Sequence, residues 1–215
     1  MDFKKSGRYA VPSDEDFEPD SNQEVLKNKL GIKSKDEIEI LEESELERTE
    51  SELLNEVDED QQFTAEYICA IHELWLGDIY PFAGKYRTVN MSKANFIFAP
   101  ADRIEFLMAE LESKYLAKYT PCHYTDNDQL AFALGIVHIE FIVIHPFREG
   151  NGRVARLLAD LMAMQSKKAP LNYSAIDQTE NPEGFDQYIL AIHAGHGGNY
   201  EPIKKVFKML LEQSV

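Results

Sequence analysis

A mainly α-helical fold with a single short β-hairpin is the expectation for this chain of 215 residues. Long segments repeat their apolar residues at helical spacing, and no strand–helix–strand alternation or internal repeat is present. β-Forming residues concentrate in one stretch, YRTVNMSKANFIFAP, where they flank a polar Ser-Lys-Ala-Asn tip. With 44% apolar residues the chain can fill a proper core.

Each element has a local reason. Residues 1–22 are polar and acidic, with Pro12 and Pro19, and are expected to be extended and partly mobile. A short helix is predicted from Asn22 to Leu30, stopped by Gly31. Ser34 followed by Glu37 forms a capping-box pattern that opens a charged helix running to about Val57. Its apolar residues Ile38, Leu41, Leu53, Leu54 and Val57 make only a narrow stripe, so this helix is expected to be peripheral. Residues 1–59 are thus read as an acidic, partly helical extension and 60–215 as the main domain. Thr64 caps the next predicted helix, AEYICAIHELWLG, whose Ile68, Ile71, Leu74 and Trp75 share a face and whose Gly77 is a stop. Pro100 closes the hairpin, and helices follow at about 101–118, 126–144, 151–166, 182–194 and 201–213.

Composition removes several classes of function. Of the net charge of −16, residues 11–60 carry −14, with 19 Asp or Glu against 5 Lys or Arg. Direct nucleic-acid binding is disfavoured, because a polyanionic backbone needs a basic face. The apolar run Leu130–Ile144 is shorter than a membrane span of about 18 residues and contains His138 and Glu140, so it is read as a core helix. Cys69 and Cys122 have neither a disulfide framework nor metal-ligand spacing and are expected to be reduced structural thiols. No apolar leader precedes the first elements, and a cytoplasmic location is expected.

The chemistry concentrates in HPFREGNGRVAR, residues 145–156. Two helices joined by a tight loop present the unpaired N–H groups of the second helix, which form an anion site. Gly150 and Gly152 let the backbone approach a phosphate closely, and Asn151 adds an amide. Arg153 and Arg156 lie three apart, on one helix face, where they can clamp further phosphate oxygens. Glu149 would repel bare phosphate but suits Mg2+, which is commonly held by one carboxylate plus phosphate oxygens. His145, at the loop entrance, has the right intrinsic basicity for a general base. Together these residues point to transfer of a phosphate-containing group from a nucleotide to a hydroxyl.

At every specified position the stretch is similar to the Fic-family signature, His-x-Phe-x-[Asp/Glu]-Gly-Asn-Gly-Arg-x-x-Arg. LWLGDIYPFAGKYRTVNMSKANFIFAP likewise resembles the helix and flap that accompany it, so the resemblance covers about residues 60–212. It implies the Fic fold, a helical bundle around a helix–loop–helix motif with a hairpin flap. It also implies AMP transfer from ATP to a Tyr, Ser or Thr hydroxyl of a target protein, with His145 as base and pyrophosphate as leaving group. By the same resemblance Glu149 would hold Mg2+, Gly150, Asn151 and Gly152 would form the anion hole, and Arg153 and Arg156 would bind the β and γ phosphates. Phe147 would anchor the loop, and Ser92, Lys93 and Ala94 in the flap would align the target's main chain by strand addition. Another donor, such as UTP or a phosphocholine carrier, stays open, as does a catalytically idle interaction module, although the latter needs neither His145 nor Glu149.

Many members of the family are restrained by a glutamate in a [Ser/Thr]-x-x-x-Glu-[Gly/Asn] helix that pairs with the second arginine of the signature, here Arg156. One literal match exists, Thr179-Glu180-Asn181-Pro182-Glu183-Gly184, but Pro182 fits only the first turn of a helix, so the segment is read as an ordinary helix start. The chain therefore resembles toxin-type members whose inhibitory helix lies on a small separate antitoxin. His138 is read as a satisfied core histidine, and the His193/His196 pair is not read as a zinc site. Oligomeric state is left open.

Overall fold

The computed structural model describes residues 16–93 and 96–214. Helix α1 spans Lys35–Asn55 and α2 Ala65–Leu76. Both begin as the sequence predicts: Ser34 Oγ accepts from Glu37 N at 3.4 Å, and Thr64 Oγ1 accepts from Tyr67 N at 3.0 Å. The hairpin is small, with β1 (Ser92–Lys93) antiparallel to β2 (Phe96–Ile97), and Ser92 opposite Ile97. A 3₁₀ turn at Ala101–Arg103 leads into α3 (Ile104–Leu111), which runs through a π-helical segment, Glu112–Leu116, into α4 (Ala117–Tyr119). The remaining helices are α5 (Asn127–Ile144), α6 (Asn151–Gln165), α7 (Pro182–His196) and α8 (Glu201–Gln213).

Helix α5 is the central post. By length and composition it could cross a membrane, but 67% of it is buried inside the protein, where α3, α6, α7 and α8 pack around it. Close approach is built in: a Cβ on Gly195 of α7 would stand 2.8 Å from Ile139 Cγ2. His138 is a satisfied core histidine, since Tyr188 Oη lies 2.8 Å from Nε2 and Ala155 O lies 3.4 Å from Nδ1. Cys69 and Cys122 are both free.

The N-terminal side departs from expectation. Residues 1–15, most of the segment expected to be extended, lie outside the described residues. In place of a helix over 22–30 the chain forms a turn closed by a bridge between Phe17 and Leu26. Asn22 and Gln23 both take positive φ, 53° and 61°, which breaks a right-handed helix. Asn28 turns its side chain on its own backbone, with Oδ1 accepting from Ile32 N at 3.0 Å and Nδ2 donating to Ile32 O at 2.8 Å. Helix α1 is also less peripheral than its narrow stripe implies. Ile38, Glu42 and Thr49 are buried where it packs on α2 and α6.

Candidate active site

The loop between α5 and α6 is held by its own side chains. Asn151, fully buried, makes a reciprocal pair with Phe147: its Oδ1 accepts from Phe147 N at 2.8 Å and its Nδ2 donates to Phe147 O at 2.7 Å. The Asn151 side chain is therefore engaged within the loop, and what this residue offers an anion is its backbone N–H. The Phe147 ring is buried and stacks on His72 of α2, with centroids 3.9 Å apart and planes at 6°. His72 Nδ1 accepts from Gly84 N at 2.8 Å, so its Nε2 carries the hydrogen and donates to Glu149 O at 3.1 Å. One neutral imidazole thus fastens both sides of the loop to the body of the domain.

His145 ends α5 in the left-handed region, at φ 53° and ψ 59°, a conformation that a non-glycine residue holds at a cost of about 1–3 kcal/mol. Arg87 offsets that strain. Its Nε donates to His145 O at 2.8 Å and its Nη2 to Ile144 O at 3.3 Å, which satisfies carbonyls left over at the helix end. The same guanidinium reaches the segments flanking the hairpin, Val89 O at 2.5 Å and Ala99 O at 2.6 Å, while Arg87 N donates to Pro146 O at 2.8 Å. The His145 ring stacks on Phe98, with centroids 3.6 Å apart, and its Nδ1 donates to Ile142 O at 3.3 Å. A hydrogen on Nδ1 leaves the basic lone pair on Nε2.

The start of α6 forms the cradle. Gly150, at φ 81°, is the turn, and a Cβ there would lie 2.5 Å from Trp75 Cζ3. A Cβ on Gly152 would meet nothing within 4 Å, so internal packing does not require glycine at that position. The first intrahelical bond is Val154 N to Gly150 O, which leaves the N–H groups of Asn151, Gly152 and Arg153 as the helix's unsatisfied donors. Gly150 N donates to Glu149 Oε1 at 3.0 Å. That carboxylate is also 3.2 Å from Arg153 Nη2.

The two arginines rest on aromatic rings. The Arg153 guanidinium lies 4.4 Å from the Trp75 ring centroid and bonds Glu42 Oε2 at 2.8 Å; Arg156 lies 5.2 Å from the Tyr173 ring. Of the flap residues, Ser92 and Lys93 form β1, which precedes Phe98 over His145, and Ala94 lies outside the described residues. His193 and His196 both pack edge-on against Phe96, at 5.2 and 5.3 Å.

Sequence reading brought His145, Glu149 and residues 150–156 into one place but missed His72, Arg87 and Glu42. A polar residue on a buried helix stripe was the available signal for two of them: His72 follows Ile71 on the inner face of α2, and Glu42 stands one turn from Ile38. Arg87 gave no such signal.

Three imidazoles are held neutral by burial, His72 down to about 4 and His138 and His145 to about 3. Such depressed values contribute stability above the unfolded value of about 6.5, and that stability is lost as pH falls. Burial moves Asp160 the other way, up to about 7, so its carboxyl opposes folding at higher pH and is relieved by acid. Counting these four groups alone, between about pH 6 and 4.5 the unfolded chain binds three extra imidazolium protons and the folded chain one extra carboxyl proton. The net of two protons should remove about 3 kcal/mol of stability per pH unit. Urea melts at about pH 7, 6 and 5 are expected to show this fall; a flat profile would mean that these imidazoles are already hydrated in the folded protein.

Fold and loop together define a helical domain in which a buried histidine stands at the entrance to an open helix N-terminus. The chain belongs to the Fic/DOC family, whose family model matches residues 62–163. It is 31% identical over 149 residues, 69% of its length, to a protein adenylyltransferase, VbhT, of Bartonella schoenbuchensis, and 24% identical over 164 residues to protein adenylyltransferase fic-1 of Caenorhabditis briggsae. It spans only 30% and 29% of those two relatives. Among solved structures, the N-terminal Fic domain of an effector of Bartonella sp. AR 15-3 superposes with a TM-score of 0.72 at 22% identity, over 92% of this chain and 89% of that one. BepC of Bartonella tribocorum, solved with bound AMPPNP, superposes with a TM-score of 0.69 at 22% identity, over 86% and 91%.

Proposed function

We propose that this chain transfers AMP from ATP to a Tyr, Ser or Thr hydroxyl of a target protein. The observation that carries the reading is a neutral His145, with its lone pair on Nε2, beside the open N-terminus of α6 and two stacked arginines. His145 Nε2 takes the hydroxyl proton as the oxygen bonds to the α phosphorus; the bond from that phosphorus to the bridging oxygen breaks, and pyrophosphate leaves. The N–H groups of Asn151 and Gly152 face the developing charge, and Arg153 and Arg156 bind the β and γ phosphates. The adenylyltransferase relatives and the AMPPNP-bound neighbour support ATP as donor.

Glu149 fits Mg2+ in one specific sense. It is a single carboxylate at the mouth of a phosphate cradle, and no group of three or more His, Cys, Asp or Glu that could hold a metal occurs among the described residues. That donor set suits an ion that arrives with the polyphosphate and neutralises its charge. The flap, through Ser92, Lys93 and Ala94, would align the target strand. In this reading residues 60–215 are the catalytic domain, residues 1–59 an acidic extension, and the protein acts in the cytoplasm.

We further propose that inhibition comes in trans, from a helix of a small antitoxin. Supporting this, Glu183 is exposed in the first turn of α7, behind an Asn181 cap that accepts from Gly184 N at 3.0 Å, while Arg156 stands over Tyr173. Glu183→Gly is accordingly expected to leave labelling of the target unchanged. A large rise in self-modification would place inhibition within the chain.

The whole reading is tested by incubating the protein, with and without lysate, with each α-labelled nucleotide and Mg2+, followed by mass spectrometry. An added AMP supports it, another nucleotide redirects the donor assignment, and no transfer with any donor overturns it.

A further inference from the structure

The acidic helix α1 delivers a carboxylate to the cradle. Glu42 is only 1% exposed, and its groups are engaged on several sides: Oε2 accepts from Arg153 Nη1 at 2.8 Å, Oε1 accepts from Tyr80 Oη at 2.6 Å, and its backbone O accepts from Trp75 Nε1 at 2.9 Å. Trp75 is the ring on which the Arg153 guanidinium lies. A single buried glutamate thus touches the arginine, holds the platform beneath it, and is itself oriented by Tyr80.

We infer that Glu42 is a positioning residue for nucleotide binding: it fixes the Arg153 fork in the orientation that meets the polyphosphate. This rests on Arg153 being a phosphate clamp. Two physical points favour positioning over simple packing. A buried carboxylate stripped of its cation is strongly penalised, so Arg153 stays with Glu42 when a ligand arrives instead of exchanging one anion for another. A guanidinium carries five N–H donors in a rigid fork, so Nη1 can remain on Glu42 while the outer donors face the phosphates. The bond to Glu149 is different in kind, because Glu149 is the carboxylate assigned to Mg2+. When it turns to the ion, Glu42 and Trp75 keep Arg153 in place.

The test uses the full chain with the variants Arg153→Ala, Glu42→Ala and the isosteric Glu42→Gln, each checked by circular dichroism and a thermal melt. The readouts are KM and kcat for ATP, together with the affinities for ATP and for AMP, which lacks the β and γ phosphates. Arg153→Ala and Glu42→Ala are expected to raise KM for ATP at least tenfold with little change in AMP affinity, and Glu42→Gln about threefold. If Arg153→Ala leaves ATP affinity unchanged, the clamp reading itself fails. If Arg153→Ala weakens ATP binding but folded Glu42→Gln and Glu42→Ala do not, the positioning role is overturned. A merely structural Glu42 would lower the melting temperature while the ratio of ATP to AMP affinity stayed constant. Faster transfer by Glu42→Gln would also overturn the inference, by making Glu42 a restraint. Should Glu42→Ala fail to fold, the ratio measured on Glu42→Gln decides.

Discussion

Replacement of His145 by alanine is expected to abolish transfer of label from α-labelled ATP to protein while ATP still binds. A positioned general base contributes roughly 10²–10⁴-fold, enough to take labelling below detection in an ordinary assay. In the proposed reaction His145 would act as the base, because it enters in its neutral form. Burial holds its imidazole neutral, down to about 3, and donation from Nδ1 to Ile142 O leaves the lone pair on Nε2. The nucleotide contacts assigned to residues 150–156 remain in the variant, so equilibrium binding of ATP should change little. Undiminished labelling would falsify the assigned base. Labelling lost together with ATP binding would mean instead that the loop had collapsed, a distinction that isothermal titration makes directly.

The second large effect is expected at Gly150. Alanine there must adopt a φ near 81° and would place its Cβ 2.5 Å from Trp75 Cζ3 and 3.0 Å from Cη2, on a ring that is 1% exposed. Left-handed backbone for a residue with a Cβ costs about 1–2 kcal/mol and overpacking about 1–3 kcal/mol more. A loss of roughly 2–5 kcal/mol should lower the melting temperature by at least about 4 °C. Activity should fall further than stability accounts for, because the ring that must move carries Arg153. A Gly150→Ala variant with an unchanged melting temperature would show that the turn does not need glycine. Gly152→Ala is the natural comparison: its Cβ enters open space, so its stability should be close to that of the parent chain while phosphate binding suffers.

These two positions mark how far the sequence could be read. Helix ends were legible where a side chain caps a local backbone group, as at Ser34 and Thr64, since such bonds span three residues. The 145–156 stretch was legible as one loop and helix start because the residues proposed as base, carboxylate, anion hole and clamps are contiguous. Residues that act across the fold were not. Arg87 grips His145 O from 58 positions away, and Glu42 meets Arg153 across 111. No local pattern encodes a separation of that length. The absent helix at 22–30 failed for the opposite reason. Its residues have adequate helix propensity, but the bridge from Phe17 to Leu26 and the side-chain bonds of Asn28 offer the backbone a competing set of partners. Asn151 lies between these cases. The sequence assigned it to the anion-binding loop, and its side chain turned out to staple Phe147.

Arg87 has a mechanical consequence. One guanidinium spans the end of α5 and both approaches to the hairpin, so if the hairpin takes up a target strand as proposed, Arg87 would set the gap between that strand and Nε2 of His145, like the opening of a gauge. Substitutions at the tip of the hairpin would change which strand is gripped, whereas only insertion or deletion between Arg87 and Ala99 would change how far a hydroxyl must project. On that proposal target choice and side-chain reach would be separately adjustable, with Arg87 as the pin that keeps the two scales aligned.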